Sequence, residues 1–299
     1  MRQRVLIPTL LACALALSSC QHTGALQAPV APASNAGPAA DDNLNAVLWM
    51  QASAEYDAAA AQTWRAAIAG LDAALADPAW DALLPSERGN PATGLPPAVI
   101  VDVDETVLDN SPYQARLVQD GAEYASASWA GWVAERAATA VPGVIEFARA
   151  AGTRGITIVY ITNRTEAMQA DTLANLRAVG LPVAGDAVFL GKGTVVDGCE
   201  SADSGDKRCR RELVGRSHRV LMQFGDQLGD FMQVEPNTPA AREALMEAHG
   251  EWFGQRWWML PNPSYGDWLP AVFGNDWSQS VTERRRAKRE ALQTGRISK

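Results

Sequence analysis

Two aspartates separated by one residue, Asp102 and Asp104, directly follow a short apolar stretch at 98–101. Side chains repeat every second residue along a strand, so both carboxylates can project into one pocket where that strand ends. Two negative charges placed so close together need a cation or a shared proton. Beside a divalent ion, Asp102 has the chemistry of a nucleophile. Asp104 could then protonate a leaving alkoxide and afterwards take a proton from the attacking water.

Two more polar clusters follow later apolar stretches. The stretch at 157–161 is followed by Thr162, and the stretch at 220–224 ends just before Asp226, with Asp230 four residues further on. Thr162 offers a hydroxyl group to a phosphoryl oxygen, whereas the two carboxylates add the oxygen ligands that Mg²⁺ prefers. A lysine brought to the same place would neutralise the remaining phosphate charge. The chemistry indicated is metal-assisted phosphoryl transfer.

The three apolar stretches lack the polar alternation of half-exposed strands, and helical segments such as 165–179 separate them. This pattern predicts a doubly wound α/β fold with a buried parallel sheet. An alanine-rich helix is predicted ahead of the sheet at 43–76, with Gly70 as its candidate point of interruption. Ligands of open α/β sheets sit beyond the carboxyl ends of the strands, so we expect the polar clusters to meet there.

The sequence Asp-Val-Asp-Glu-Thr-Val-Leu-Asp-Asn-Ser-Pro-Tyr at 102–113, together with Ile-Thr-Asn-Arg at 161–164 and Gly-Asp-Gln-Leu-Gly-Asp-Phe at 225–231, resembles the ordered motifs of the haloacid-dehalogenase (HAD) superfamily. Within its class B/C subfamily the chain is most similar to the class C acid phosphatases, lipid-anchored enzymes of the bacterial outer membrane. The resemblance implies a HAD-like Rossmannoid domain at 41–283, with a small cap at about 113–140.

The same resemblance implies an Mg²⁺-dependent acid phosphatase that hydrolyses small phosphomonoesters through an aspartyl-phosphate. Asp102 takes the place of the nucleophile and Asp104 that of the acid and base. The metal ligands would be Asp102, the backbone carbonyl of Asp104 and Asp226, with Asp230 in support. Gln227 departs from the family pattern, which more usually has asparagine there.

Phosphate binding is assigned by resemblance to Thr162, Asn163 and a lysine. Lys207 and Arg210 look like the Lys-x-x-Arg pattern of the family, which favours Lys207. Lys192 is the alternative candidate, further from the third cluster.

Two aromatic residues, Trp129 and Tyr265, occupy places that flank the ring of the substrate in the resembling enzymes. Stacking on aromatic side chains tolerates different bases, so 5′-nucleotides are the leading substrate class. The alternative is that tryptophans such as Trp132 simply pack in the core.

The N-terminal residues predict export. Two arginines and an apolar run at 5–17 describe a signal peptide over 1–19, too short to span a bilayer. Small residues before Cys20 resemble a lipobox, which would leave that cysteine lipidated and anchored to the outer membrane, followed by a disordered tether over 20–40. An ordinary signal peptide with a chance cysteine is the alternative. The basic tail at 284–299 is read as a solvated helix end, with contact to membrane phosphates as the second interpretation.

Cysteine usage agrees with an exported protein. Cys199 and Cys209 form an even pair ten residues apart, which predicts a disulfide in an oxidising compartment. No second cysteine pair or histidine partner accompanies them in the sequence, so a metal site is the poorer interpretation.

Charge and composition narrow the functional class. The chain carries 26 Lys+Arg against 34 Asp+Glu, for a formal net charge of −8, which argues against a nucleic-acid binder. Two other functions stay open: a phosphotransferase with the same intermediate, and a non-catalytic surface lipoprotein that binds nucleotide or metal. The oligomeric state is also left open, a homodimer included.

Overall fold

A computed structural model of the chain describes residues 40–199 and 205–295. The predicted signal peptide, the lipidation site Cys20, the tether up to residue 39, and the tail residues Arg296 and Lys299 lie outside the described residues. The chain divides after Ala40, and the compact unit Asp41–Lys299 contains all the elements described below.

The strands alternate with helices along the chain, as the spacing of apolar stretches predicts. The strands are β1 (Pro97–Val101), β2 (Leu108–Asp109), β3 (Thr139–Ala140), β4 (Thr157–Thr165), β5 (Phe189–Lys192), β6 (Arg219–Gly225) and β7 (Trp257–Met259). The helices are α1 (Leu44–Ala52), α2 (Ala54–Ala76), α3 (Ser111–Asp120), α4 (Ser126–Glu135), α5 (Val144–Thr153), α6 (Gln169–Ala178), α7 (Arg208–Ser217), α8 (Pro239–His249), α9 (Trp268–Ala271) and α10 (Val281–Glu290). Single 3₁₀ turns lie at Pro85–Glu87, Glu166–Met168, Asp186–Val188, Leu228–Asp230 and Gly250–Trp252.

Five strands form one parallel sheet in the order β5-β4-β1-β6-β7. After β1 the chain builds outward through β4 and β5, then returns to place β6 and β7 on the other side of β1. The strand order therefore reverses beside β1, where a crevice opens beyond the carboxyl ends of the strands. The predicted doubly wound α/β fold is confirmed. β2 and β3 form a separate two-stranded antiparallel ribbon.

Both faces of the sheet are covered, which explains the uninterrupted apolar character of β1. Val99 and Val101 belong to the larger core cluster, and Ala98 and Ile100 belong to the cluster on the opposite face. Alternate side chains of a strand point to opposite faces, so a strand buried on both sides has no polar positions.

The N-terminal helical segment differs from the prediction. The helix is interrupted at Ser53, whose side chain accepts a hydrogen bond from the Tyr56 amide and caps α2. Gly70 does not interrupt α2. A Cβ at Gly70 would lie 3.2 Å from Cε of Met222 in β6, so the glycine allows the helix to approach the sheet closely. The prediction of a break at Gly70 is wrong because packing, and not backbone bending, accounts for the residue.

Helices α3 and α4 lie between β2 and β3, in the region predicted to form a small cap. The basic C-terminal segment is folded as α10, and it contacts other parts of the domain. Arg284 is buried and pairs with Glu123, and Arg285 pairs with Asp42 at 2.9 Å. Among the described helices, none combines the length and apolarity needed to cross a bilayer.

Candidate active site

The end of β1 carries the two predicted catalytic carboxylates. The Asp102 amide donates to the Phe224 carbonyl at 2.9 Å, which extends the pairing of β1 with β6 by one residue. The chain then turns sharply at Glu105, which has a left-handed φ of 59°. Asp102 is buried and Asp104 is partly buried, so the two side chains leave the strand into different surroundings.

Carboxylates from β1 and from the loop after β6 meet at this edge of the sheet. Oxygen atoms of Asp102, Asp226 and Asp230 lie within 4.8 Å of one another. Asp230 folds back over the strand end, and its Oδ2 accepts from the amides of Asp226 and Gln227 at 3.1 and 2.9 Å. A Cβ at Gly225 would lie 2.3 Å from Asp230, so only glycine allows this close approach.

Lys207 lies against the acidic cluster. It is buried at the residue before α7, and its Nζ pairs with Asp102 and, at 2.6 Å, with Asp230. Lys192, the alternative phosphate ligand, ends β5 and stands opposite Thr165 in the register of the sheet. The geometry therefore places Lys207, and not Lys192, beside the predicted nucleophile.

The electrostatics of the cluster favour an added cation. Burial raises the pKa of Asp102 to about 7, a change that the Lys207 charge opposes and the charges of Asp230 and Asp104 reinforce. Burial, with the charges of Asp230 and Asp102, also raises the pKa of Asp226 well above its ordinary range. One ammonium group pairs with two of the three converging carboxylates, and all of the converging ligand atoms are oxygen. This donor set fits a hard divalent ion such as Mg²⁺.

Asp104 is held by a second set of contacts. Its Oδ1 accepts from Nε and Nη2 of Arg164 at 2.9 and 2.7 Å, and from the Asn110 side chain at 2.9 Å. Its Oδ2 has only a long contact with the Thr162 hydroxyl, at 3.5 Å. The Arg164 side chain is buried, at 1% exposure. Asp104 thus presents one oxygen fixed by donors and one that faces the site.

The predicted phosphate ligands of the second cluster are brought to the same edge. Thr162 is buried, and its hydroxyl accepts from the Arg164 amide at 3.1 Å. Asn163 is exposed, and its side chain is engaged at both ends: Nδ2 donates to the Gly205 carbonyl at 3.0 Å, and Oδ1 accepts from Arg210 at 2.8 Å. Its side chain therefore braces the neighbouring loop, whereas the Thr162 hydroxyl keeps a proton to donate.

Trp129 and Tyr265, the two residues predicted to bind the substrate ring, contact different parts of the protein. Trp129 is 9% exposed and packs edge-on against Tyr113, with the Arg164 guanidinium 5.4 Å from its ring centroid. The Tyr265 hydroxyl donates to the Glu105 carboxylate. The ring contacts made by Trp129 are with Tyr113 and Tyr124, and none of them reaches Tyr265.

Glu105 joins the first motif to the loop that carries Tyr265. Glu105 is fully buried, and its Oε1 accepts from the Asn110 amide at 2.8 Å. Burial, followed by the charges of Asp104 and Asp226, raises the pKa of Glu105 well above its ordinary range. The same loop supplies Asn262, whose side chain donates to Asp226 at 2.7 Å.

Several of these residues are given no role by the sequence alone: Arg164, Asn110, Glu105 and Asn262. Arg164, Asn110 and Glu105 lie inside quoted motifs and Asn262 lies outside them, yet each contacts a side chain that is distant in the sequence. Arg164 and Asp104, for example, are 60 positions apart. The sequence signal that could have indicated Arg164 is its charge within a motif that follows a buried strand, because a buried arginine needs an acidic partner.

The predicted cysteine pair is present as a disulfide, with Cα atoms of Cys199 and Cys209 6.0 Å apart. Cys209 lies in the first turn of α7, two residues after Lys207. The disulfide therefore ties the preceding loop to the turn that carries the site lysine.

Comparison with known proteins finds acid phosphatases that are similar to this chain. A sequence model described as HAD superfamily, subfamily IIIB (Acid phosphatase) matches residues 16–268. The class C acid phosphatase from Bacillus anthracis is 32% identical, over 84% of this chain and 97% of that one, with a TM-score of 0.73. A crystal structure of the class C acid phosphatase from Bacillus anthracis with tungstate bound gives the same values.

Proposed function

Because the chain belongs to the acid phosphatases of the HAD superfamily, subfamily IIIB, and is therefore a phosphomonoester hydrolase, we propose that it works with Mg²⁺ and forms an aspartyl-phosphate on Asp102. The observation that carries this proposal is the position of Lys207. Its amine joins Asp102 to Asp230 where three carboxylates converge. We further propose that 5′-nucleotides are the main substrates.

The metal ion would be held by Asp102, Asp226 and the backbone carbonyl of Asp104, with Asp230 in support. Bound there, it would neutralise phosphate oxygens and keep the Asp102 carboxylate ionised. A cation is needed for this because burial otherwise favours the protonated, non-nucleophilic form of Asp102. Lys207 adds a positive charge next to the proposed nucleophile.

Asp104 supplies and removes the proton. In the first step an Asp102 oxygen forms a bond to phosphorus, the ester oxygen leaves with its electron pair, and Asp104 gives that oxygen a proton. In the second step Asp104 takes a proton from water, whose oxygen attacks the same phosphorus and releases Asp102. We assign the proton to Oδ2 of Asp104, since Oδ1 already accepts three hydrogen bonds from Arg164 and Asn110.

Phosphate oxygens would be bound by the Thr162 hydroxyl and the Lys207 ammonium, with Asn163 holding the adjoining loop. The structure with tungstate bound supports an oxyanion site in this family, since tungstate is a tetrahedral oxyanion like phosphate. Arg210 donates to the Thr162 carbonyl at 2.5 Å and so fixes the strand end that carries the hydroxyl.

The nucleotide proposal depends on the aromatic residues above the site. Tyr265 is partly exposed and is held by Glu105, whereas Trp129 is nearly buried beside Tyr113. Tyr265 is therefore the ring better placed to meet a base. Tyr265→Leu should raise KM for a nucleotide several-fold and leave KM for glycerol phosphate unchanged. Tyr265→Phe keeps the ring and serves as the matched control for the lost contact with Glu105.

A set of hydrolysis assays tests the proposal. Protein stripped with EDTA should be inactive on p-nitrophenyl phosphate and 5′-mononucleotides, and added Mg²⁺ should restore turnover. Full activity after EDTA treatment contradicts the metal, and nucleotide turnover no better than that of glycerol phosphate contradicts the substrate class. Phosphate esters of an added alcohol would favour the phosphotransferase, and nucleotide binding without hydrolysis would favour the non-catalytic lipoprotein.

We also propose that the protein is exported and attached by a lipid on Cys20 to the outer membrane. The support is the order of basic, apolar and small residues before that cysteine. Mass spectrometry of the mature N-terminus tests it: a diacylated Cys20 is expected, and Cys20→Ser should release the protein from the membrane fraction. An unmodified N-terminus elsewhere would contradict the anchor.

A further inference from the structure

A buried ion pair lies behind the acidic cluster and takes no part in the mechanism derived above. Arg211, in α7, is 0% exposed and Glu87, in the 3₁₀ turn before β1, is 4% exposed. The guanidinium meets the carboxylate through two hydrogen bonds, Nε to Oε2 at 2.9 Å and Nη2 to Oε1 at 2.5 Å. Such a two-bond pair fixes the orientation of the arginine as well as its position.

The remaining nitrogen of Arg211 holds the loop that carries a predicted metal ligand. Its Nη1 donates to the carbonyls of Gly229 and Asp230, at 3.0 and 3.3 Å. These carbonyls belong to the last residues of the single turn Leu228–Asp230. The last carbonyls of a helical turn have no partner within the turn, so a fixed cation there stabilises its end.

The turn matters because of what the Asp230 side chain contacts. Its Oδ2 accepts from the amides of Asp226 and Gln227, and its Oδ1 pairs with Lys207 at 2.6 Å. Asp230 is therefore the link between the loop after β6 and the lysine beside the nucleophile. A shift of the turn would move Asp230 and, with it, the backbone of Asp226.

A second ion pair in the same segment offers a comparison. Arg88, next to Glu87, pairs with Asp81 at 2.6 Å and donates to the His218 carbonyl at 3.1 Å and to the Gly215 carbonyl. It ties the segment to the last turn of α7 and beyond, away from the acidic cluster. The two pairs thus share a segment and a helix but differ in whether they reach the site.

We propose that the Glu87–Arg211 pair is a positioning pair for the metal site: it holds the turn Leu228–Asp230 so that Asp230 and Asp226 meet Asp102. The inference rests on the proposed metal site. Residues that orient metal ligands from behind typically contribute about 10- to 100-fold to metal affinity. Loss of the Glu87–Arg211 pair should therefore weaken Mg²⁺ binding even where the fold is intact.

The double variant E87M/R211M separates positioning from stability. Replacing both charges leaves no unpaired buried ion, and apolar residues of similar size commonly preserve or raise stability at such a position. Calorimetric titration of EDTA-stripped protein with Mg²⁺ should show binding about 10-fold weaker than in the wild type, or weaker still. The melting temperature of the metal-free variant should stay near the wild-type value. The Mg²⁺ concentration that gives half-maximal activity should rise by a larger factor than that by which kcat at saturating Mg²⁺ falls.

The matched control is D81L/R88M, which removes the neighbouring pair by the same kind of change. It should bind Mg²⁺ as the wild type does. Equal weakening in both double variants would make the effect a general one of packing and would overturn the proposal. Wild-type Mg²⁺ affinity in E87M/R211M would overturn it as well.

A milder variant decides the question if the double variant does not fold. Glu87→Gln keeps the shape of the side chain and one acceptor but removes the charge that orients Arg211. Weaker Mg²⁺ binding by Glu87→Gln supports the positioning role, and unchanged binding overturns it. If the wild-type protein itself shows no Mg²⁺ binding, the proposed metal site fails, and the inference that rests on it fails too. A failure of the inference alone looks different, because the wild type then binds Mg²⁺ and the variants bind it equally well.

Discussion

Asp102 and Asp104 leave the same strand end with one residue between them, yet they enter two regions that differ in charge balance. Around Asp102, three carboxylates converge and one lysine pairs with two of them, so negative charge is in excess. Around Asp104, one carboxylate oxygen meets a buried arginine and an amide, so charge is matched. The first region gains from binding a cation, whereas the second is complete without one.

This difference supports the two different roles that we propose for the two aspartates. A carboxylate in an acidic cluster can be kept ionised and aimed by a bound metal ion, which suits a nucleophile. A carboxylate whose position is set by fixed donors keeps one free oxygen in a constant place, which suits proton transfer. The proposed role of each aspartate follows from the charged groups around it. Variants can test whether the two regions differ in charge balance.

The largest effect is expected at the nucleophile. Asp102→Asn removes the attacking oxygen and should lower kcat for p-nitrophenyl phosphate by about 10⁴-fold or more, with folding intact. Steady-state rates and circular dichroism on the same preparation check both parts. Substantial residual turnover would mean that Asp102 only binds metal, and the contrast with Asp104 would then be lost.

Asp104→Asn should give a smaller loss that depends on the leaving group. Alkyl phosphates need a proton on the departing oxygen, so their kcat should fall by about 10²- to 10⁴-fold. p-Nitrophenyl phosphate, whose leaving group is stable without a proton, should lose less in the first step. Equal losses in kcat/KM, which reports the steps up to release of the alcohol and not the later attack of water, would contradict a role as the leaving-group acid.

Arg164→Lys tests whether Asp104 is held as the geometry indicates. Lysine cannot reproduce the two donors that meet Oδ1, so the aspartate should lose its fixed orientation. We expect kcat on alkyl phosphates to fall by about 10-fold, a fraction of the general acid–base contribution, with KM little changed. The variant should show the same dependence on leaving group as Asp104→Asn. An equal loss of activity on alkyl phosphates and on p-nitrophenyl phosphate would show that Arg164 does not act through Asp104.

The last prediction concerns the stability of the metal-free protein rather than its rate. Asp226→Asn removes one of three crowded carboxylates, so the melting temperature of EDTA-treated protein should stay constant or rise by a few degrees. Asp104→Asn leaves Arg164 without its charge partner and should destabilise the protein by about 3 kcal/mol. Differential scanning calorimetry of both variants measures the contrast. A loss of stability in both would show that the two regions do not differ in charge balance.

Much of this arrangement could be predicted from the sequence because strand ends are local features. Asp102, Thr162 and Asp226 each follow an apolar strand, and parallel strands end at one edge. Lys207 is indicated by the resemblance of Lys207 and Arg210 to the Lys-x-x-Arg pattern of the family, and not by local pattern alone. The structure brings Lys207 into contact with Asp102.

The residues that the sequence does not reveal act across the fold. Arg164 reaches Asp104 from another strand, and Tyr265 reaches Glu105 over 160 positions. Nothing in the spacing of a motif shows which of its polar side chains will turn toward such a partner. The interruption of the N-terminal helix is hidden for a related reason. Gly70 is the weaker helix former, but tertiary packing against Met222 keeps it helical, and the cap at Ser53 ends the first segment instead.

Asn110 has one further consequence. Its side-chain carbonyl accepts from Nε1 of Trp132 in α4, at 2.8 Å, while its amide nitrogen donates to Asp104. Trp132 in α4 is thus connected to Asp104 through the Asn110 side chain. Under the proposed mechanism, replacing that helix would also shift the group that transfers the proton, so a change made there would alter the rate as well as the local contacts.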